Sequence, residues 1–231
     1  MINLQDIFAR DIIVVTGHYG SGKTNLAINL ALDLAAQGEQ VTLADLDIVN
    51  PYFRSADFRT QAAEHGIDFV VSEYANSNLD MPALSAALDA KIGRAGKLVI
   101  DVGGDDAGAY ALGRYATRIQ AASYAMVYVV NAHRYLTREP GEALDLLREI
   151  EAASRLQATH IVNNSNLSYE TTATGVAQTV PYGMAVAQAA GVPLAATALR
   201  RDLYAQLADK TGYYGIDIYV KVPWDTNPGD M

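Results

Sequence analysis

The sequence contains no cysteine. Disulfide bonds, thiolate metal sites and a cysteine-held iron–sulfur cluster are therefore excluded for this chain. No apolar run approaches the roughly 18 residues that a membrane-spanning helix needs, and the N-terminus lacks the charged and then apolar pattern of a signal peptide. We expect a cytoplasmic protein that does not insert into a membrane.

Positive charge is scarce in this chain. Lys and Arg number 17 against 26 Asp and Glu, a formal net charge of −9, and no run of five or more basic residues occurs. A surface that binds nucleic acid replaces counterions with positive side chains, so we expect no nucleic-acid partner. Hydrophobic residues make up 50% of the 231 positions, enough for a substantial core. Because α/β chains of this length commonly form one domain, we expect a single domain over residues 1–231.

A glycine-rich stretch follows the apolar residues Ile12–Val15 and precedes a helical pattern. Gly17 and Gly22 bracket four residues and are followed by Lys23 and Thr24, the G-x-x-x-x-G-K-[ST] pattern of a Walker A loop. Such a loop wraps an anion with its backbone N–H groups at a helix N-terminus. The lysine then reaches the β- and γ-phosphates, and the threonine hydroxyl ligates the bridging magnesium. We therefore predict binding of ATP and Mg²⁺, with nucleotide contacts from Gly17, His18, Tyr19, Gly20, Ser21, Gly22, Lys23, Thr24 and Asn25.

Apolar segments of strand length alternate with helical patterns along the whole chain, including a helix over 107–120 and a last strand over 216–220. This alternation predicts an α/β protein with a mostly parallel central sheet and helices on both faces, the three-layer fold of P-loop NTPases. Ligands of such sheets bind outside the carboxyl ends of the strands. Chemically informative residues follow the predicted strands at five places: Gly17–Thr24, Asp45 and Asp47, Asp101–Gly104, Asn131–Arg134 and Asn163–Ser165.

Carboxylates at two of these strand ends are candidates for the metal and the attacking water. Asp101 is positioned like a Walker B carboxylate, and Asp101-x-x-Gly104 fits a pattern in which the glycine N–H contacts the γ-phosphate. Asp45 and Asp47 lie two residues apart, so on a strand they face the same way. We predict Thr24, Asp47 and Asp101 as metal ligands and Lys23 and Asp47 as catalytic residues, with Asp47 orienting the water.

A strand-end amide is the candidate for contact with the base. Asn164, or Asn163 beside it, offers both a donor and an acceptor to a purine edge, although asparagine is also common in turns. No N-K-x-D guanine signature follows, which favours adenine. Arg54, Arg114 and Arg134 are each candidates for a positive charge on the transferring phosphoryl group, or are ordinary surface groups.

The pattern Gly-x-x-Gly-x-Gly-Lys-Thr, the strand end Asp45-Leu-Asp47 and Asp101-x-x-Gly104 occur in this order. In this the chain resembles the MinD/ParA and CobQ/CobB (SIMIBI) group of P-loop ATPases. The resemblance implies a mostly parallel sheet, ATP and magnesium, and in many members a nucleotide-dependent homodimer; it gives the water-activating role to Asp47. Within the group, the stretches GHYGSGKT and DLDIVNPYFRS are similar to those of a family of uncharacterised ATP-binding proteins.

One position departs from that group. Its members carry a lysine directly after the first glycine of the loop, and that lysine reaches the phosphates of the partner subunit, whereas this chain has His18. A neutral imidazole cannot reproduce a long ammonium side chain. The substitution counts against a nucleotide-sandwich dimer and against fast hydrolysis.

Three functions remain open from the sequence. The first is a slow ATPase that acts as a switch for a protein partner or a cofactor-maturation step, with switch loops at 47–54 and 103–107. The second is an ATP-dependent ligase or kinase of the CobB or dethiobiotin-synthetase kind, with Tyr52, Arg54 and Arg134 building a pocket for a small carboxylic acid. The third is a nucleotide sensor without turnover, which His18 favours.

Overall fold

A computed structural model describes residues 4–46, 62–70, 86–104 and 106–220. Within these residues, eight strands form one sheet, and every neighbouring pair runs parallel. The strands are β1 (Ile12–Gly17), β2 (Val41–Asp45), β3 (Asp68–Val70), β4 (Lys97–Asp101), β5 (Tyr124–Val130), β6 (His160–Asn163), β7 (Leu194–Arg200) and β8 (Tyr213–Ile216). Their order across the sheet is β3-β2-β4-β1-β5-β6-β7-β8.

Helices connect the strands and cover the sheet. They are α1 (Gln5–Phe8), α2 (Lys23–Ala36), α3 (Asp106–Gly113), α4 (Ala116–Ala121), α5 (Pro140–Ser154), α6 (Ala173–Gln178), α7 (Val180–Ala190) and α8 (Arg201–Ala205), with a 3₁₀ turn at Ser168–Glu170. Residues 62–64 and 86–89 are also helical. In the part of the chain that the structure describes, no helix has both the length and the apolar character to cross a membrane.

Both faces of the sheet are buried, because its strands are nearly continuous apolar runs. Alternate residues of β1 pack into two separate clusters. Ile12 and Val14 pack with α3, α4, α5 and α7, whereas Ile13 and Val15 pack with α1 and α2. This confirms the predicted three-layer α/β fold, and the described strands are parallel throughout.

The strand order creates a crevice between β1 and β4. From β1 the chain passes through α2 to β2 on one side of the sheet, and from β4 it passes through α3 and α4 to β5 on the other side. Ligands of open parallel sheets bind at the carboxyl ends of the strands where the connections diverge in this way. The glycine-rich loop follows β1 and Gly104 follows β4, so both lie at this point.

Two of the sequence-based boundaries are wrong. The helix predicted over 107–120 is broken at Gly113, where a Cβ atom would lie 2.7 Å from the carbonyl oxygen of Ala153 at the end of α5. The strand predicted over 216–220 is instead β8, which ends at Ile216. Backbone groups of the residues that follow β8 bond to side chains of α2 rather than to the sheet.

Candidate functional site

The loop after β1 has a backbone that glycine alone accommodates without strain. Gly17, Gly20 and Gly22 have φ values of +151°, +75° and +88°, a range that other residues rarely adopt. A Cβ atom on Gly17 would lie 2.3 Å from the carbonyl oxygen of Val129, and one on Gly22 would lie 2.2 Å from Nδ2 of Asn164. The loop is therefore closely packed against the ends of β5 and β6, and it leads directly into the N-terminus of α2. Backbone N–H groups at such a position suit a phosphate.

Lys23 is the first residue of α2, and its side chain is buried inside the loop. It is 6% exposed, and its Nζ donates to the carbonyl oxygen of His18 at 3.2 Å. Gly104 lies directly against the same group, since a Cβ atom there would be 2.8 Å from Lys23 Nζ and 2.6 Å from the backbone nitrogen of Tyr19. The residues that follow β1 and β4 thus meet at one place, with the ammonium group between them.

Oxygen ligands lie at the base of the loop. The Thr24 hydroxyl donates to Oδ2 of Asp101 at 2.7 Å. Asp101 of β4 is in register with Asp45 of β2, so the two side chains lie on the same face of the sheet. Both are buried, at 1% and 5% exposure. Mg²⁺ prefers oxygen ligands, and the hydroxyl and carboxylate oxygens of these residues are of that kind.

The sequence leaves open whether Asp45, Asp47 or both contact the magnesium shell, and of these two the metal prediction names Asp47. The signal that favours Asp45 is its position at the end of a buried strand beside the strand of Asp101. Asp47 and Arg54 lie outside the described residues. No group of three or more His, Cys, Asp or Glu side chains suited to a metal occurs within the described ranges. Mg²⁺ commonly takes one or two carboxylates and completes its shell with water and phosphate oxygens, and Asp101 with Thr24 offers a carboxylate and a hydroxyl of this kind.

The two strand-end asparagines differ in what their side chains contact. Asn163 is fully buried: its Nδ2 donates to the carbonyl and hydroxyl oxygens of Thr179, and its Oδ1 accepts from the backbone and hydroxyl of Ser165. Asn164 contacts the loop, because its Nδ2 donates to the carbonyl oxygen of Ser21 at 2.7 Å. Asn164 therefore fixes the loop backbone immediately before Gly22.

Asn25 points away from the loop interior. Its Oδ1 accepts hydrogen bonds from the backbone nitrogens of Tyr219 and Val220, at 2.9 and 3.0 Å. Asn29, one turn further along α2, bonds to both backbone groups of Asp217. The side chain of Asn25 thus holds the segment after β8 against the first turn of α2.

The variable positions of the loop differ in burial. His18 is half-buried, and burial followed by the charge of Lys23 lowers its pKa below 6.5, so its imidazole is neutral at pH 7. Tyr19 is 60% exposed. The Ser21 hydroxyl is buried and has no hydrogen-bond partner among the described residues.

One candidate arginine lies on the loop. The Nε of Arg134, from the turn after β5, donates to the carbonyl oxygen of Gly20 at 2.9 Å. Arg114 lies at the opposite edge of the sheet, because the preceding Gly113 packs against the C-terminal end of α5, which leads into the start of β6. The structure therefore brings Arg134 to the loop and leaves Arg114 away from it.

Comparison with known proteins agrees with this geometry. Residues 12–227 match the family model described as the CobQ/CobB/MinD/ParA nucleotide binding domain. No curated protein sequence matches the chain.

The fold is also similar to solved structures of low sequence identity. The signal recognition particle 54 kDa protein from Aeropyrum pernix K1, solved with GDP, is 17% identical with a TM-score of 0.51, over 79% of this chain and 40% of that one. FtsY from Mycoplasma mycoides is 18% identical with a TM-score of 0.51, over 80% of this chain and 59% of that one. Chloroplast FtsY from Physcomitrella patens is 16% identical with a TM-score of 0.54, over 80% and 57%. The chain thus spans about half the length of these proteins, and the likeness concerns the fold alone.

Proposed function

The chain belongs to the CobQ/CobB/MinD/ParA nucleotide-binding family, and on that premise we propose that it is a slow, magnesium-dependent ATPase that acts as a nucleotide switch. The observation that carries the proposal is the contact between Thr24 and Asp101 at the base of the loop, with Lys23 held inside it. A phosphate cradle, a cation and hard oxygen ligands are the parts that phosphoryl transfer requires.

Each residue of the site has a role in this proposal. The loop backbone and Lys23 bind the β- and γ-phosphates, and Thr24, Asp101 and Asp45 hold the magnesium directly or through its water. The bound ion neutralises charge on the phosphates and orients them. Gly104 lies close enough to the loop for its backbone to sense the γ-phosphate. Asp47, outside the described residues, remains our proposal for orienting the water.

Contact with the base is proposed for Asn164 rather than Asn163. The amide of Asn163 is saturated by Thr179 and Ser165. Among the described residues, Oδ1 of Asn164 has no donor, so it can accept from the amino group of adenine while Nδ2 holds Ser21.

A sensor without turnover is the second candidate. Its support is His18, whose lowered pKa keeps a neutral group at the loop position where the resembling ATPases carry a lysine. The two proposals share the nucleotide site and differ in hydrolysis.

The test measures ATP affinity and phosphate release on the full chain, with light scattering on the same samples to detect a dimer. We expect Lys23→Ala to abolish release and weaken ATP binding, because it removes the buried cation. Lys210→Ala, at an exposed lysine of the segment before β8, is the matched control and should behave as wild type. Tight ATP binding without release would favour the sensor. Wild-type protein that binds no ATP would refute both.

A further inference from the structure

We propose that Arg134 is a phosphate-contacting residue of this site, anchored on the loop through Nε so that its terminal amino groups meet the outermost phosphate. The inference rests on the proposed function, since it assumes a nucleotide in the loop. Its starting point is the position of the guanidinium: Nε bonds to the Gly20 carbonyl at 2.9 Å. A Cβ atom on Gly20 would lie 3.2 Å from Nε and 3.5 Å from Cζ, so the guanidinium packs directly on the loop backbone.

The turn that carries Arg134 is braced on several sides. Asn131 is fully buried, and its Oδ1 accepts from the backbone nitrogen of His133 at 2.9 Å. The Thr137 hydroxyl donates to the carbonyl oxygen of Asn131 at 2.9 Å. The backbone nitrogen of Ala132 donates to the Ser165 hydroxyl after β6, also at 2.9 Å. A turn fixed in this way holds the arginine on the loop with little further loss of conformational entropy on binding.

The chemistry of the guanidinium suits a terminal phosphate. Its planar fork has five N–H donors, and the bond to Gly20 uses one of them. No acceptor for the Nη1 and Nη2 groups of Arg134 occurs in the ranges that the structure describes. Arg134 is exposed, and its guanidinium is anchored on the loop through Nε. Paired N–H groups of a guanidinium match the oxygens of a phosphate.

The distribution of charge around the loop also supports a phosphate contact from Arg134. The chain has a net charge of −9. The carboxylate of Asp101 contacts Thr24 directly after the loop, and Asp45 lies beside Asp101 in the sheet. His18 contributes no charge at pH 7 because its pKa is lowered. Within the described residues, the cationic side chains that contact the loop are those of Lys23 and Arg134. Besides the proposed magnesium ion, Lys23 and Arg134 are therefore the positive groups that these residues offer to a polyanion bound there.

The test compares ATP, ADP and AMP affinities by calorimetry for wild type, Arg134→Ala and Arg134→Lys. A contact to the outermost phosphate predicts a loss of about 10- to 100-fold in ATP affinity for the alanine variant, a smaller loss for ADP and almost none for AMP. Lysine should restore part of the ATP affinity because it keeps the charge but loses the fork. Arg138→Ala, an exposed arginine four residues further on, is the control and should match wild type.

Two outcomes would overturn the role of Arg134. In the first, Arg134→Ala binds ATP as tightly as wild type does. In the second, it loses ATP, ADP and AMP affinity equally and Arg134→Lys restores none of it, which would mean that Arg134 only supports the loop structure. Either result leaves the nucleotide site intact, provided that Lys23→Ala still weakens binding. If wild type binds none of the three nucleotides, the proposed function itself fails. Circular dichroism of each variant checks that the fold is retained.

Discussion

At the scale of single residues, burial has a consequence for pH-dependent stability. His160, at the start of β6, is 5% exposed, and burial lowers its pKa below 6.5, with Arg10 adding to the decrease and Asp6 opposing it. In the unfolded chain the imidazole takes up a proton near pH 6.5, whereas in the folded protein it does so only at a lower pH. The free energy of unfolding should therefore fall as the pH drops from 6.5 towards the lower folded-state pKa, by at most about 1.4 kcal/mol per pH unit from this residue.

His160→Gln should make the free energy of unfolding depend less on pH in this range, because glutamine has no group that takes up a proton there. Urea unfolding between pH 7.5 and 5 measures the slope for both proteins, since only the difference between them reports on this residue. His65→Gln, at an exposed histidine, is the control and should keep the wild-type slope. Equal slopes for wild type and His160→Gln would contradict the prediction.

The sequence indicates the loop and Lys23 because the spacing of these residues is local. The sequence does not show which of Asn163 and Asn164 contacts the loop. The two asparagines are neighbours at one strand end, and only their tertiary partners, Thr179 for Asn163 and Ser21 for Asn164, distinguish them. The pairing of Asp45 with Asp101 is likewise a matter of register between strands far apart in the chain. Residue type and spacing therefore predict which edge of the sheet carries the candidate site, whereas tertiary contacts distinguish the individual side chains.

At the scale of elements, α2 connects the loop to the end of the described chain. Asn29 is 1% exposed, and its Nδ2 donates to the carbonyl oxygens of Asn25 and Asp217, at 2.7 and 2.8 Å. Its Oδ1 accepts from the Asp217 nitrogen at 2.8 Å. Asn29→Ala leaves the backbone groups of Asp217 without these partners, so we expect a loss of about 1–3 kcal/mol of stability.

The same change should speed amide hydrogen exchange at 217–220 more than elsewhere, because the segment loses its attachment to α2. Chemical denaturation and exchange measured by mass spectrometry test the two parts of the prediction. Gln188→Ala, at an exposed polar position of α7, should shift stability by no more than about 0.5 kcal/mol. Unchanged exchange at 217–220 would show that other contacts hold the segment.

These contacts also explain the elements that the sequence misplaced. The apolar spacing of 107–120 continues across Gly113, but α3 ends at this glycine, which packs closely against the end of α5, and α4 begins at Ala116. Residues after Ile216 are apolar enough to resemble a strand, yet their backbone is satisfied by Asn25 and Asn29. For the residues after Ile216, contacts with a distant element therefore override the local pattern.

At the scale of the whole molecule, one sheet separates two hydrophobic clusters. Ile28 of α2 belongs to one and is 1% exposed, and Ile119 of α4 belongs to the other and is fully buried. Among the described residues, the two clusters have no member in common, yet the helices of both pack on the same sheet. Isoleucine-to-valine changes at the two sites should therefore act independently while unfolding remains a single transition.

We expect Ile28→Val and Ile119→Val each to lower the free energy of unfolding by about 0.5–1.5 kcal/mol. The double variant should lose the sum of the two to within about 0.5 kcal/mol, because the sites lie in separate clusters. Denaturant unfolding followed by far-ultraviolet circular dichroism and by fluorescence measures both quantities. Transitions that differ between the two probes would mean that the layers unfold separately, and a large coupling energy would mean that the sheet transmits strain from one cluster to the other.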